Sequence, residues 1–214
     1  MSRQKLRIRF RKFGDLRLIS HRDLARAFER LFRRACLPLA MSEGFHPHPR
    51  INFPSALALG IQGEAEWVEA LLAEPVSEEA ARMRLVEHSP EGLEITDVRT
   101  LDVNTPKPQV DRADYEIPLP STRSEAAQQA IVELLGKQEY LIERDGRSVP
   151  INLRDTLVSA QVNGDRLRFT LSAVREAQAR PREILEALGL GDLESHGLWL
   201  TRTAVHLTAP SSRT

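Results

Sequence analysis

The sequence predicts an α+β protein made of two tandem ferredoxin-like halves, each with the element order βαββαβ. Near the N-terminus, Leu6, Ile8 and Phe10 alternate with basic residues, which is typical of a strand with one buried face. An amphipathic helical pattern follows Ser20. After a polar, proline-bearing stretch at 102–113, the order of elements begins again, so this stretch is predicted to be the linker.

The first half is predicted to span residues 1–101. Ser20 has the spacing of a helix cap, with Asp23 in the first turn, and the helix ends before Pro38. Ser77 is predicted to cap the second helix, which runs to about His88. Besides the N-terminal strand, strands are predicted at about 51–57, 66–73 and 93–101.

The second half is predicted to span residues 114–214. Its helices are predicted at 121–135 and from Pro181 to about Gly189. An Asn163-Gly164 turn indicates a hairpin. Strands are predicted at about 115–119, 140–143, 158–162, 167–173 and 198–207.

The formal net charge of zero conceals an uneven distribution of charge. Residues 1–36 hold twelve Lys and Arg against three Asp and Glu, whereas residues 37–110 hold five against twelve. A basic N-terminal segment suits a polyanionic partner. The sequence shows no secretory signal and no apolar run long enough to cross a bilayer, so we expect a cytoplasmic protein without membrane contact.

Basic side chains form two rows that we expect to bind RNA phosphates. One row follows the N-terminal strand and the other follows one face of the first helix, and the two faces point in different directions. The candidates are Arg7, Arg9, Arg11 and Lys12 on the strand and Arg22, Arg26, Arg30 and Arg33 on the helix. The alternative is a solvated face, or arginines paired with the acidic segment 64–97. We expect neither base reading nor DNA specificity, because the strand lacks paired aromatic residues that stack on bases.

The segment from Gly44 to Arg50 is predicted to be a rigid loop, because its prolines restrict the preceding residues to extended conformations. The polar residues expected to contact a phosphate or a partner protein are Ser42, His46, His48 and Arg50. The alternative is a purely architectural loop. We expect no metal site, because two histidines supply only two ligands.

His21 is the most enzyme-like residue of the sequence. It lies at a predicted helix N-terminus, where the helix dipole favours an anion and disfavours protonation of an imidazole. It is a candidate catalytic residue, and the alternative is a structural histidine of the first turn. The sequence has one cysteine, Cys36, which excludes an intrachain disulfide framework and is predicted to be a buried, inert thiol.

The stretch RIRFRKFGDLRLISHRDLARAFERLFRRACLPLAMSEGFHPHPRINFPSALALG resembles a bacterial family of radical SAM-linked proteins of unknown function. The resemblance is dense from Leu6 to about Leu72 and includes Gly14, the Ser20-His21-x-Asp23 step and Pro47-His48-Pro49. This chain has His46 where the family tends to have Asn. In that family the domain is a separate chain or is fused behind a cobalamin-binding-type radical SAM module.

The resemblance implies a radical SAM enzyme as the partner and a link to RNA metabolism. We therefore expect a non-catalytic subunit that binds or docks an RNA for modification by that enzyme. The candidate RNAs are tRNA and rRNA. SAM, the iron-sulfur cluster and cobalamin are expected only on the partner, with no cofactor on this chain. The alternatives are a metal-independent endoribonuclease that uses His21 and a protein–protein adaptor without RNA contact.

Overall fold

The computed structural model describes residues 3–146, 148–173 and 178–208, so residues 209–214 of the predicted second half lie outside the described chain. Its contacts divide it into two units, one made of residues 3–109 with Thr208 and the other of residues 110–207. The fold is mixed α+β, which confirms the predicted class. Within the described ranges, no helix is long and apolar enough to cross a membrane.

The first unit contains two helices and four strands. Its strands pair in the order β4-β1-β3-β2, and each neighbouring pair is antiparallel. The elements in chain order are β1 (Gln4–Lys12), α1 (His21–Arg34), β2 (Ile51–Asn52), β3 (Gln62–Leu72), α2 (Glu78–His88) and β4 (Leu93–Leu101).

The core of this unit lies between the helices and one face of the sheet. Leu6, Ile8 and Phe10 of β1 pack in one cluster with apolar residues of both helices. Phe10 meets Phe28 of α1 edge to face, with ring centroids 4.8 Å apart. Because strand side chains alternate, the basic side chains of Lys5, Arg7 and Arg9 lie on the helix-free side of the sheet.

Both helices of the first unit begin as the sequence predicts. The Ser20 hydroxyl accepts a hydrogen bond from the backbone N–H of Asp23 at 3.1 Å, and Ser77 does the same for Ala80 at 3.2 Å. The end of α1 corrects one prediction, because Cys36 is exposed rather than buried. It follows the helix with a left-handed φ of 49°, which turns its side chain away from the core.

The second unit has a four-stranded sheet in the order β10-β5-β9-β8 and a separate two-stranded sheet. β5 begins inside the stretch 102–113 that the sequence assigns to a linker. The elements are β5 (Gln109–Pro118), α3 (Ser121–Gly136), β6 (Leu141–Ile142), β7 (Ile151–Asn152), β8 (Leu157–Asn163), β9 (Arg166–Ser172), α4 (Pro181–Ala187) and β10 (Thr201–Thr208).

Two predicted strands differ from the structure. The strand expected at 51–57 is only Ile51–Asn52, because Pro54 has no N–H with which to continue a ladder. The strand expected at 140–143 is shortened to Leu141–Ile142 and pairs with β7 instead of joining the main sheet. Gly146, with a φ of 79°, lies in the connection between these two short strands.

Candidate nucleic-acid interface

The basic row of β1 is largely neutralised by carboxylates of neighbouring strands. Arg7 donates two hydrogen bonds to Oε1 of Glu69, from Nε at 3.0 Å and from Nη2 at 2.7 Å. Lys5 Nζ lies 2.9 Å from Oε2 of the same carboxylate. Glu69 is only 2% exposed. β3 places it there because Arg7 and Glu69 are register partners in the antiparallel pair.

The next residues of the β1 row also contact their own unit. The guanidinium of Arg9 lies 5.4 Å from the ring centroid of Trp67, a cation–π contact. Arg11 Nη1 lies 3.0 Å from Glu94 Oε2, and both side chains are about half exposed. The β1 row therefore contributes less positive charge to solvent than its sequence suggests.

Lys12 corrects the predicted set of phosphate-binding residues. Lys12 continues the alternation of Leu6, Ile8 and Phe10 along β1, so its side chain lies on the buried face of the strand and not with Arg7, Arg9 and Arg11. The side chain is fully buried, and its Nζ donates to the carbonyl oxygen of Ile19 at 3.4 Å. A phosphate on the surface cannot reach it.

The basic face of α1 is more open. Its four predicted arginines, Arg22, Arg26, Arg30 and Arg33, are all exposed. Arg26 lies 3.5 Å from Asp23, in an exposed i,i+3 pair. Within the described residues, Arg22, Arg30 and Arg33 have no carboxylate within ion-pair distance. This row therefore presents its charge to solvent.

Asp23 is the acidic residue that lies within ion-pair distance of Arg26 in that row. Its Oδ2 accepts a hydrogen bond from the Ser20 hydroxyl at 2.6 Å. That bond, followed by the positive charge of Arg26, holds the pKa of Asp23 below its ordinary value of 3.8. Asp23 therefore stays ionised at neutral pH and offsets part of the charge of the first turn.

His21 is the first residue of α1 and is half-buried. Its ring meets the ring of Phe53 edge to face, with centroids 5.3 Å apart and planes at 81°. Phe53 in turn packs against Phe10 and Phe28 of the core. The position of His21 fits a residue that anchors the start of the helix.

A closed loop carries the predicted histidines. The Ser42 N–H donates to the His48 carbonyl at 2.8 Å, and the His48 N–H donates to the Ser42 hydroxyl at 2.9 Å. His46, His48 and Phe45 are exposed on this loop, and the phenyl group of Phe45 is completely so. Across the described chain, no three His, Cys, Asp or Glu side chains cluster as metal ligands would.

A cavity of about 520 Å³ lies beside β2 and β3. Ser42 and Arg50, two of the predicted binding residues, line this cavity together with Lys5. Neither His46 nor His48 lines it. The remaining lining residues are Ile51, Asn52, Glu69, Ala70, Leu71, Val103, Thr105 and Lys107. We call this cavity the basic pocket.

Sequence reasoning missed Lys5, Asn52, Thr105 and Lys107 in the basic pocket. The last two lie in the stretch that the sequence assigns to a linker. That stretch folds back because Asp102 accepts hydrogen bonds from the N–H groups of Asn104, at 2.7 Å, and Thr105, at 2.9 Å. The Asp-x-Asn-Thr pattern, typical of an Asx turn, was the available signal.

Comparisons with known proteins give a family but no activity. No curated protein matches the chain. A solved structure described as "Crystal structure of putative glycine cleavage system transcriptional repressor" aligns over 98% of this chain and 99% of its own, with 10% identity and a TM-score of 0.27. That score is too low to carry an argument. The match to a family described as "Uncharacterized protein conserved in bacteria (DUF2344)" covers residues 5–182, and the chain therefore belongs to that family.

Proposed function

We propose that this protein is a non-catalytic RNA-binding or docking subunit that works with a radical SAM enzyme in RNA modification. The exposed arginine row of α1 is the observation that carries the RNA part of the proposal. A row of exposed arginines, of which Arg26 alone has a carboxylate neighbour among the described residues, attracts phosphates of any sequence, because binding releases the counterions of the nucleic acid. The radical SAM part depends on the resemblance of residues 6–72.

The fold proposed for this subunit is a pair of ferredoxin-like halves. The sheet orders β4-β1-β3-β2 and β10-β5-β9-β8 support it, because the first main strand of each unit lies between the last and the third. In each unit, one helix follows the first main strand and another precedes the last. In the first unit this arrangement leaves the outer face of α1 available to a large ligand.

The loop from Ser42 to His48 is the proposed docking element for the enzyme. Two hydrogen bonds between Ser42 and His48 close the loop, one between backbone groups and one accepted by the Ser42 hydroxyl. Pro47 stiffens the loop, so little conformational entropy is lost on binding. Phe45 is an exposed aromatic group of the kind that anchors protein interfaces.

The chemistry of the modification is proposed to belong to the partner. A radical SAM cluster needs several cysteine thiolates close together, and this chain has one cysteine. The packing of His21 against Phe53 favours a structural histidine over a general acid. We therefore propose that this chain positions the RNA and does not cleave it.

A pair of double variants tests RNA binding by α1. Arg22→Gln with Arg30→Gln removes two charges from the row, whereas Arg82→Gln with Arg84→Gln removes two exposed charges from α2. Host RNA that copurifies with the tagged protein would be titrated against each variant over a range of salt concentrations. We expect the magnitude of the slope of log K against log salt to shrink by about 1.4 to 1.8 for the α1 variant alone.

The slope separates phosphate contact from a general charge effect. If the two double variants weaken binding equally, α1 is not the interface. If the α1 variant keeps both the affinity and the slope of the wild type, the RNA part of the proposal is wrong.

A further inference from the structure

We propose that the basic pocket binds a nucleoside monophosphate unit. The inference goes beyond RNA contact by α1, because no residue of that helix lines the pocket. The unit has two sources with the same chemistry, a free nucleotide and the 5′-phosphorylated end of an RNA. The second source rests on the proposed function, and the first does not.

The charge of the lining favours an anion. The pocket is lined by three cationic side chains, Lys5, Arg50 and Lys107, and by one carboxylate, that of Glu69. Lys5 and Arg7 already neutralise that carboxylate. Arg50 and Lys107 are exposed and have no carboxylate within ion-pair distance in the described part of the chain. Their two charges are available to a phosphate.

The backbone holds the main donors of the pocket in place. The N–H of Arg50 donates to the Ala40 carbonyl at 2.9 Å, and its carbonyl accepts from the Leu71 N–H at 3.0 Å. Lys5 Nζ donates to the Thr105 carbonyl at 2.9 Å and contacts Glu69 at 2.9 Å. An ammonium group has three N–H donors, so one remains for a ligand.

The size and lining of the pocket favour a ligand larger than a bare phosphate. Pockets for small organic ligands span about 300–1,000 Å³, and this one measures about 520 Å³. Ile51, Leu71 and Val103 supply apolar surface for a base or a ribose. The amide of Asn52 and the hydroxyl of Ser42 add neutral groups that can hydrogen-bond sugar or base edges.

Calorimetric titration of the full chain tests the inference. The probes are a nucleoside 5′-monophosphate, the matching nucleoside, inorganic phosphate, and a trinucleotide RNA with or without a 5′-phosphate. We expect the monophosphate to bind at least 10-fold tighter than the nucleoside or inorganic phosphate, because the phosphate and the apolar part both contribute. Arg50→Gln and Lys107→Gln should each weaken binding by about 10-fold, the scale of one charged hydrogen bond.

Arg84→Gln is the matched control, because it removes an exposed arginine charge from the same unit and lies outside the pocket. The control should keep wild-type affinity. Tighter binding of the 5′-phosphorylated trinucleotide than of the monophosphate would assign the site to an RNA end. Binding of the monophosphate alone would assign it to a free nucleotide.

Three results would overturn the inference. They are equal affinity for inorganic phosphate and monophosphate, unchanged affinity in both pocket variants, and no monophosphate binding at millimolar concentration. The α1 double variant distinguishes this failure from failure of the proposed function, since it leaves the pocket intact.

Discussion

Arg7 and Glu69 are joined by two hydrogen bonds to a single carboxylate oxygen, from Nε at 3.0 Å and Nη2 at 2.7 Å. The other oxygen faces Lys5 Nζ at 2.9 Å. Two cations of β1 thus share one buried anion of β3. The arrangement ties the two strands together and leaves the site with a surplus of positive charge.

Glu69→Gln is expected to change stability and anion binding in opposite directions. It leaves Lys5 and Arg7 without a carboxylate partner, so the free energy of unfolding should fall by about 1–3 kcal/mol. It also removes the one negative charge of the basic pocket, so the affinity for a nucleoside monophosphate should rise. Urea unfolding and calorimetric titration measure the two effects.

The matched control is Glu64→Gln, which removes an exposed carboxylate from the same strand. Its effect on the free energy of unfolding should stay within about 0.5 kcal/mol. Equal effects of the two variants would mean that the shared carboxylate of Glu69 has no special role.

The local elements of the first unit could be predicted from the sequence because each has a short-range signal. Ser20 and Ser77 cap helices, and apolar residues alternate along β1. The pairing of the β1 charges could not be predicted in this way, because it depends on the register that sets Glu69 opposite Arg7, a relation between strands about 60 residues apart in sequence. The burial of Lys12 was predictable, since Lys12 continues the alternating series of Leu6, Ile8 and Phe10.

In the candidate site, too, some features have a short-range signal in the sequence and others depend on contacts between distant segments. The arginine row of α1 follows from the helical period, and its exposure agrees with that prediction. The basic pocket combines Arg50 with Lys107, from segments far apart in sequence. A polar stretch with two prolines gives the same local signal whether it links two domains or folds against a sheet. Only the three-dimensional fold shows which occurs.

In the second unit, the pair formed by Arg144 and Glu183 should make stability depend on pH. Arg144 donates to both carboxylate oxygens, at 2.8 and 2.7 Å, and the N–H of Arg180 donates to one of them at 2.7 Å. Burial raises the pKa of Glu183, but these bonds lower it more, so the pKa lies below its ordinary value of 4.5.

A carboxyl group with a depressed pKa stabilises the fold above its unfolded pKa and loses that contribution as pH falls through the folded value. Arg144→Gln should therefore lower the free energy of unfolding by about 1–2 kcal/mol at pH 7, a range that allows for solvent screening of a partly exposed pair. The loss should be smaller below pH 4.5. Urea unfolding at several pH values measures the difference. Arg168→Gln, which breaks a more exposed pair with Glu116, is the control and should cost less. A cost for Arg144→Gln that stays constant down to pH 3 would contradict the assignment.

Cys36→Gly is expected to stabilise the first unit by about 0.5–1 kcal/mol. Cys36 has a φ of 49°, in the left-handed region of the backbone that residues with a Cβ rarely adopt. Its N–H donates to the Arg33 carbonyl at 3.1 Å, and the next N–H, of Leu37, donates to the Phe32 carbonyl at 3.0 Å. These two bonds form the Schellman motif that usually has glycine at this position.

Thermal unfolding of Cys36→Gly and Cys36→Ala compares the two changes directly. The alanine variant removes the thiol but keeps the Cβ, so its stability should stay close to that of the wild type. A glycine variant no more stable than the alanine variant would show that the left-handed conformation costs nothing here.

Phe45→Ala is expected to weaken docking to a radical SAM enzyme without changing the stability of the chain. The phenyl group contacts solvent on all sides, next to Gly44 with its φ of 119°, in a loop closed by the two bonds between Ser42 and His48. Burial of one such side chain in an interface contributes about 1.5–3 kcal/mol, which corresponds to roughly 10- to 100-fold in the dissociation constant.

Met83→Ala, which truncates another exposed apolar side chain of the same unit, is the matched control. Anaerobic titration of each variant with the radical SAM enzyme of the same bacterium, in the presence of SAM and host RNA, measures the effect. Equal affinity of wild type and Phe45→Ala would exclude the loop as the anchor, and failure of the wild-type chain to associate would exclude the enzyme as the partner.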